Sequence, residues 1–224
     1  MSGKIIVIDG GDGAGKATQV QLLAKRLERE GQVVETLDFP NYEQNTFGKL
    51  IRECLDGKRG DFMATDPRIA STLYAADRFE SKPKIERWLQ EGKTIILDRY
   101  VSANMMHQGA KIPDHESLES FLSWLDHMEH EVFGLPRPSI IIYLAVPHEV
   151  RSRLKAQAVT EQKHNVGKDL AEINTEHQEN TEARARRIIK SRNNWRQVIC
   201  TDGDEMRSRE DIHEEIYQIV LNEV

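Results

Sequence analysis

The feature that most constrains this chain is the segment Gly10-Gly11-Asp12-Gly13-Ala14-Gly15-Lys16-Ala17-Thr18, which directly follows the apolar run Lys4-Ile-Ile-Val-Ile-Asp9. It reads as a strand, a glycine-rich turn, a lysine and then an amphipathic helix from about Ala17 to Glu30. Glycines let the backbone curl so that successive N–H groups converge on phosphate oxygens. The helix N-terminus adds partial positive charge, and a lysine in the place of Lys16 reaches the β- and γ-phosphates. The pattern departs from the usual form at one place. Ala17 stands where Ser or Thr would hold Mg²⁺, and Thr18 comes one residue late, so a metal needs another ligand, such as a carboxylate acting through water.

At 224 residues the chain is expected to form one domain with a core large enough to need no disulfide or metal staple. A net charge of −6 without a polybasic run disfavours general nucleic-acid binding, while leaving room for a local basic pocket for a small phosphate ligand. Cys54 and Cys200 lie far apart and form no metal-spacing motif, which fits thiols in a reducing cytosol. The N-terminus runs straight into the first strand, and nothing approaches 18 consecutive apolar residues. Secretion and membrane spanning are therefore not expected.

Apolar β-rich runs alternate with helical patterns. Strands are expected at Ile5–Asp9, Val33–Phe39, Thr94–Asp98, Ile140–Ala145 and Gln197–Thr201. Helical segments are expected at Ala17–Glu30, Thr46–Asp56, Pro67–Phe79, Pro83–Glu91, Glu116–Val132, Pro147–Ala156, Leu170–Asn194 and Arg209–Leu221. The strands are continuous Ile/Val runs rather than strict alternations, so they are buried on both faces. That predicts an α/β three-layer sandwich with a five-stranded parallel sheet between helices. Ligands bind such sheets at the carboxyl ends of the strands, which directs attention to Asp9, to Asp38 through Tyr42, and to Asp98-Arg99-Tyr100. The polar stretch Thr160–Lys168 reads either as a solvated loop or as a lid that excludes water from a phosphate-transfer site.

Asp98 ends an apolar strand and suits a carboxylate that holds Mg²⁺ directly or through water; taken alone it could equally cap a helix or pair with Arg99. Tyr74 and Arg78 are four apart on one helical face. They could stack on a base and donate to its edge, or Tyr74 could pack in the core while Arg78 makes a surface ion pair. Phe39-Pro40 could wall a base or simply end a strand. Lys49 and Arg52 read as a solvated helix face. His127 and His130 fit no zinc motif and read as structural or exposed, and Trp88, Trp124 and Trp195 read as packing residues.

Taken together, these segments resemble the thymidylate kinase family of P-loop nucleoside monophosphate kinases. The likeness rests on Ile8 to Gln19, Phe39-Pro40, Leu73 to Arg78, Asp98 to Ala110 and Ile141 to Pro147, in the family's order and spacing. It weakens after about Lys155. The resemblance implies a single P-loop kinase domain over residues 1–224, with a lid at about 155–170. It also implies ATP and Mg²⁺-dependent phosphorylation of dTMP to dTDP in the cytoplasm by a homodimer. Lys16 would bind donor phosphates in the cradle from Gly10 to Thr18. Asp12 would accept the acceptor sugar's 3′-hydroxyl, and Arg99 would grip the acceptor phosphate. Tyr74 would stack on thymine beside Phe39 and Pro40, with Arg78, Asn104 and Gln108 contacting the base. His107 would lie near the sugar's 2′ position, and Asp98 would order Mg²⁺.

Gly13 occupies the place where some members carry a catalytic arginine, so the lid region should supply the charge. Arg153 is the leading candidate there, with Lys163 or Lys168 as substitutes lacking arginine's fork. Tyr42 stands near a position where some members use an arginine on the acceptor phosphate. Two other readings are a kinase for a different deoxynucleoside monophosphate or nucleoside, and a nucleotide-binding module without catalysis.

Overall fold

The computed structural model describes residues 3–161 and 175–223. Strand β1 (Lys4–Gly10) leads through the glycine-rich turn into α1 (Lys16–Arg29), followed by β2 (Val34–Asp38) and α2 (Thr46–Leu55). Helix α3 (Pro67–Gln90) precedes β3 (Thr94–Asp98), a short helix α4 (Val101–His107) and a single 3₁₀ turn at Gly109–Lys111. Then come α5 (His115–Asp126), a π-helical turn (His127–Val132), β4 (Ile140–Ala145) and α6 (His148–Glu161). The described chain resumes with α7 (Thr175–Ser191), β5 (Trp195–Ile199), the small hairpin β6 (Thr201–Asp202) and β7 (Glu205–Met206), and α8 (Arg209–Glu223).

The five long strands form one parallel sheet in the order β2-β3-β1-β4-β5. Successive side chains point to opposite faces, which explains the continuous apolar runs. Ile5, Val7, Ile95, Leu97, Ile141 and Tyr143 enter one core, under Ile85 and Trp88 of α3, Phe121 of α5 and Ile188 of α7. Ile6, Ile8, Ile96, Ile140, Ile142 and Leu144 enter a second core, against Leu23 and Leu27 of α1 and Ile212, Ile216 and Val220 of α8. The three layers match the expected fold class. In β5 the pairing starts two residues earlier than the sequence pattern indicates, because Trp195 belongs to the first core.

Helix α3 corrects the expected break between Phe79 and Pro83. Asp66 caps it by accepting from the N–H groups of Arg68 and Ile69, and Pro67 occupies the first turn, where its missing N–H costs nothing. Pro83 lies inside the helix, at a cost of about 3 kcal/mol. Ser71, Ala75, Arg78, Ser81, Ile85 and Trp88 nevertheless form one buried stripe running past it. Burying side chains of the size of Ile85 and Trp88 contributes roughly 1.5–3 kcal/mol each, enough to hold both halves in one helix.

The segment expected as a single helix from Glu116 to Val132 instead ends in the π turn, which brings Glu129 to complete burial. Helix α2 packs on α3 through Ile51, Cys54 and Leu55 against Ala70, and the chain leading into α2 is held by polar contacts. Asp77 accepts from Asn41 N at 3.0 Å and Asn45 Nδ2 at 2.8 Å. Gly48 is required there, because a Cβ would lie 1.9 Å from the Asn41 carbonyl oxygen. These contacts fix the chain after the cis Phe39–Pro40 bond, where it faces the site.

Candidate active site

Three strand ends converge at one edge of the sheet. The turn after β1 begins three residues beyond Ile8, whose register partner on β3 is Asp98. Gly13 and Gly15 have φ of 87° and 88°, in the left-handed region that side-chain-bearing residues rarely adopt. Gly15 thereby turns the chain into α1 and leaves the first N–H groups of the helix at the loop. Lys16 is only 9 % exposed and folds back over the loop, donating to the Gly11 carbonyl at 3.2 Å, with Asp12 Oδ1 at 3.9 Å. Burial, followed by the nearby Arg99 charge, lowers its pKa to about 8, against the pull of Asp12, Asp98 and Asp9.

Asp9 is fully buried beneath the loop. It accepts from Gly10 N at 2.8 Å and from Ser102 Oγ at 2.6 Å, and so ties β1 to α4. Arg99 carries a left-handed backbone with φ 65°, unusual for a residue with a side chain and held by its N–H to the Ile8 carbonyl at 3.0 Å. Its guanidinium bonds Asp12 and faces His107 Nε2 at 2.9 Å, with Asp9 at 3.8 Å. Burial opposes its charge, but Asp12, Asp9 and Asp98 outweigh that and raise its pKa, so Arg99 is a permanent cation. Burial, then the Arg99 charge, hold His107 well below 6.5. The ring is neutral, and facing a guanidinium it accepts at Nε2, which leaves its proton on Nδ1.

A cleft with about 740 Å³ of empty space, solvent at its mouth included, opens beside Arg99. Asp12, Phe39, Pro40, Tyr74, Arg78, Arg99, Asn104, His107 and Gln108, the nine residues expected at the acceptor, all line it. Tyr42, named near the acceptor phosphate position, lines it as well, and so do Phe62, Met63, Lys111 and His177, which were not among the residues expected to bind there. Tyr74 is half-buried with its ring 6.0 Å from that of Phe62. Gln108 is buried and its Oε1 has no hydrogen-bond partner among the described residues. An unpaired buried amide oxygen is costly unless a ligand donates to it.

Arg78 follows neither expectation in full. It does form an ion pair, but a buried one. It is 2 % exposed and grips Glu129 with two bonds of 2.7 and 2.5 Å, while Nη1 reaches the Tyr100 carbonyl at 3.4 Å. Glu129 also accepts from Asn104 Nδ2 at 3.0 Å. Asn104 Nδ2 also donates to the Ser71 carbonyl at 3.2 Å, so one carboxylate from the π turn orients two cleft-lining side chains, Arg78 and Asn104. The sequence signal for it was weak: a glutamate between His127 and His130 in a helical pattern. Arg52 lies over the Tyr42 ring at 3.9 Å and is more than a solvated charge. His127 is exposed and His130 faces the Leu135 carbonyl at 2.8 Å, consistent with structural roles.

Asp98 stands beside Lys16 and Arg99. Burial raises its pKa, opposed by those two cations, so it is a carboxylate that gains from a further cation. Among the described residues, no cluster of three His, Cys, Asp or Glu could hold a metal unaided. With Ala17 lacking a hydroxyl, the donor set fits a Mg²⁺ carried mainly by nucleotide phosphates and water, with Asp98 as its protein contact.

Arg153 is not brought together with these residues. It is exposed and bonds Asp204 O and Glu205 of the hairpin. Arg151, two residues earlier, lies against the phosphate loop instead. Lys163, Lys168 and most of the expected lid fall outside the described residues.

The comparisons with known proteins identify the family. The family model for thymidylate kinase matches residues 8–216. A thymidylate kinase of Mycobacterium tuberculosis is 35 % identical over 156 residues, covering 68 % of this chain and 72 % of its own. A probable thymidylate kinase of Thermococcus onnurineus is 32 % identical over 98 % of both chains. The solved thymidylate kinase of Candida albicans superposes with a TM-score of 0.73 over 99 % of this chain and 92 % of its own, at 22 % identity, a likeness of fold.

Proposed function

This chain belongs to the thymidylate kinase family and phosphorylates dTMP, and on that premise we propose that ATP is the donor and that the P-loop and the Arg99 cleft hold the two nucleotides. The observation that carries this reading is the placement of Lys16, at the start of the helix after β1, and Arg99, just after the neighbouring β3, between a loop of backbone N–H groups and a cleft lined by the nine residues expected at the acceptor. An acceptor phosphate oxygen attacks the γ-phosphorus in line, and the protein's task is to position two anions and offset their repulsion. Two unit charges 4 Å apart repel by about 4 kcal/mol at an intermediate effective dielectric, so each cation near the junction matters.

The N–H groups of Gly13 to Thr18 cradle the donor phosphates, and Lys16 leaves the Gly11 carbonyl to meet them. Arg99 exchanges Asp12 for the acceptor phosphate, which frees the Asp12 carboxylate to accept the sugar hydroxyl. Tyr74, Phe39 and Pro40 enclose the base, and Arg78, Asn104 and Gln108 read its edge. His107 crowds the 2′ position. Mg²⁺, held by Asp98 through water, would neutralise charge on the donor phosphates.

The reading extends to a single domain closed by a lid at about 155–170, to a homodimer and to the cytoplasm. Exposed Ile69 and Phe79 on α3 support an interface, and the free, buried Cys54 and Cys200 fit a reducing compartment. A coupled ADP-release assay with dTMP, dUMP, dCMP, dGMP and thymidine tests the acceptor. The expected result is turnover greatest with dTMP and negligible with thymidine; a greater rate with another acceptor would reassign the cleft.

A further inference from the structure

Arg151 stands in the first turn of α6, is 3 % exposed, and contacts three separate stretches of chain. Its Nε donates to the Val146 carbonyl at 3.0 Å. Nη1 donates to the Asp12 carbonyl at 3.3 Å and to Gln178 Oε1 at 3.2 Å, and Nη2 bonds Glu182. Gln178 and Glu182 are four apart on one face of α7. On the other side, the guanidinium touches the phosphate loop so closely that a Cβ on Gly11 would lie 2.3 Å from its Cζ. Gly11 has no left-handed φ to explain it. Its lack of a side chain makes room for Arg151.

We infer that Arg151 is a positioning residue for phosphoryl transfer, pinning the Asp12 peptide of the phosphate loop to α7 and so holding the Asp12 carboxylate in register with Arg99. In the first half of the loop the Gly10 N–H is held by Asp9, the Asp12 carboxylate by Arg99, and the Gly11 carbonyl by the Ala14 N–H at 3.1 Å and the Lys16 ammonium at 3.2 Å, while Arg151 reaches the Asp12 carbonyl. The Lys16 bond is given up when Lys16 turns to a donor phosphate, whereas the bond from Arg151 to the Asp12 carbonyl does not involve Lys16. A planar fork can span acceptors on three segments at once; a lysine ammonium cannot match that geometry. The inference rests on the proposed donor role of the loop, and it explains why an arginine stands at the site's edge without facing the cleft.

The test uses the full chain and compares Arg151→Met, Arg151→Lys and Gly11→Ala with the wild type. Hydrogen exchange of the peptide spanning residues 10–16 is measured without nucleotide, and kcat and KM well below the thermal midpoint. Arg151→Met is expected to speed loop exchange about tenfold. It should lower kcat about 30-fold while moving the KM for dTMP less than threefold, since the loop is misplaced rather than the cleft. Arg151→Lys recovers part of the kcat, and Gly11→Ala reproduces the loss by displacing the guanidinium. Because Arg151→Met leaves Glu182 unpaired, Arg151→Met/Glu182→Gln serves as a second variant and should show the same kcat loss at restored stability. If all these variants keep loop exchange and kcat within threefold of wild type and only the thermal midpoint falls, Arg151 is a structural strut and the inference is overturned. Failure of the donor-site reading would show separately, as activity surviving Lys16→Ala, while the nucleotide-free exchange reads Arg151 alone.

Discussion

Between Gly10 and Thr18 the phosphate loop draws its chemistry from consecutive residues and mainly from the backbone. The acceptor cleft draws Tyr74 and Arg78 from α3, Arg99 from the turn after β3, Asn104 and His107 from α4, and His177 from α7. The first is built from one stretch, a strand end, four glycines and a helix start, with Arg151 of α6 as its support from elsewhere in the chain. The second exists only when both faces of the sheet have packed and Glu129 has turned inward. Damage to the loop should therefore act on the donor and on chemistry, whereas damage far from the cleft can still reach the acceptor.

Removing Lys16 is the strongest attack on the loop. Lys16→Ala should lower kcat by more than ~100-fold, since it removes charge stabilisation that grows in the transition state, while dTMP binding in a direct titration stays close to wild type. A variant that keeps more than a tenth of the activity would remove Lys16 from the mechanism.

The cleft is best attacked at Glu129, which does not face the ligand directly. Glu129→Ala leaves Arg78 buried and unpaired, a loss of about 3–5 kcal/mol when one partner of a buried pair is deleted, read as a lower thermal midpoint. Glu129→Gln keeps the shape and should raise the KM for dTMP ~10-fold while leaving that for ATP unchanged, because only the side chains aimed at the base, Arg78 and Asn104, lose their orientation. Equal shifts for both nucleotides would dissolve the distinction between the two regions.

Titration separates them further. With a pKa of about 8, Lys16 in the free protein loses its charge as the pH rises from 7 to 9, so donor affinity should fall about tenfold over that range. Arg99 stays protonated and dTMP affinity should stay flat. The same shift acts on folding with the opposite sign. Between about pH 8 and 10.5 the unfolded chain keeps a proton on Lys16 that the native protein has shed, so this group's contribution to stability rises with pH. Comparing the pH dependence of unfolding in wild type and Lys16→Met isolates it.

The same division governs what could be read from the sequence. The phosphate loop, the parallel sheet and the two-faced strands were legible because their signals are contiguous: a glycine pattern after an apolar run, and Ile/Val runs with no alternation. The nine acceptor residues could be gathered from separate motifs through the family resemblance, and they share one cleft. What composition and spacing did not carry were contacts made only by folding. Glu129 sits in a π turn that the periodicity merged into one helix. His177 comes from a helical pattern with no distinguishing neighbours, and Lys111 from a stretch between expected elements that forms a single 3₁₀ turn. Arg151 and Arg153 are two apart and chemically equal on paper, yet α6 turns one into the loop and the other toward Glu205. Pro83 reads as a break because the stripe that overrides it depends on a tertiary partner.

The central claim is that one cation serves the donor and the other the acceptor monoester. Calorimetric titration of dTMP and of thymidine, without ATP, into wild type, Lys16→Ala and Arg99→Ala tests it most directly. The account predicts that wild type and Lys16→Ala both prefer dTMP to thymidine by at least ~10-fold, as expected for a charge-assisted phosphate contact, and that Arg99→Ala loses this preference. A preference for dTMP that survives Arg99→Ala and disappears in Lys16→Ala would contradict it.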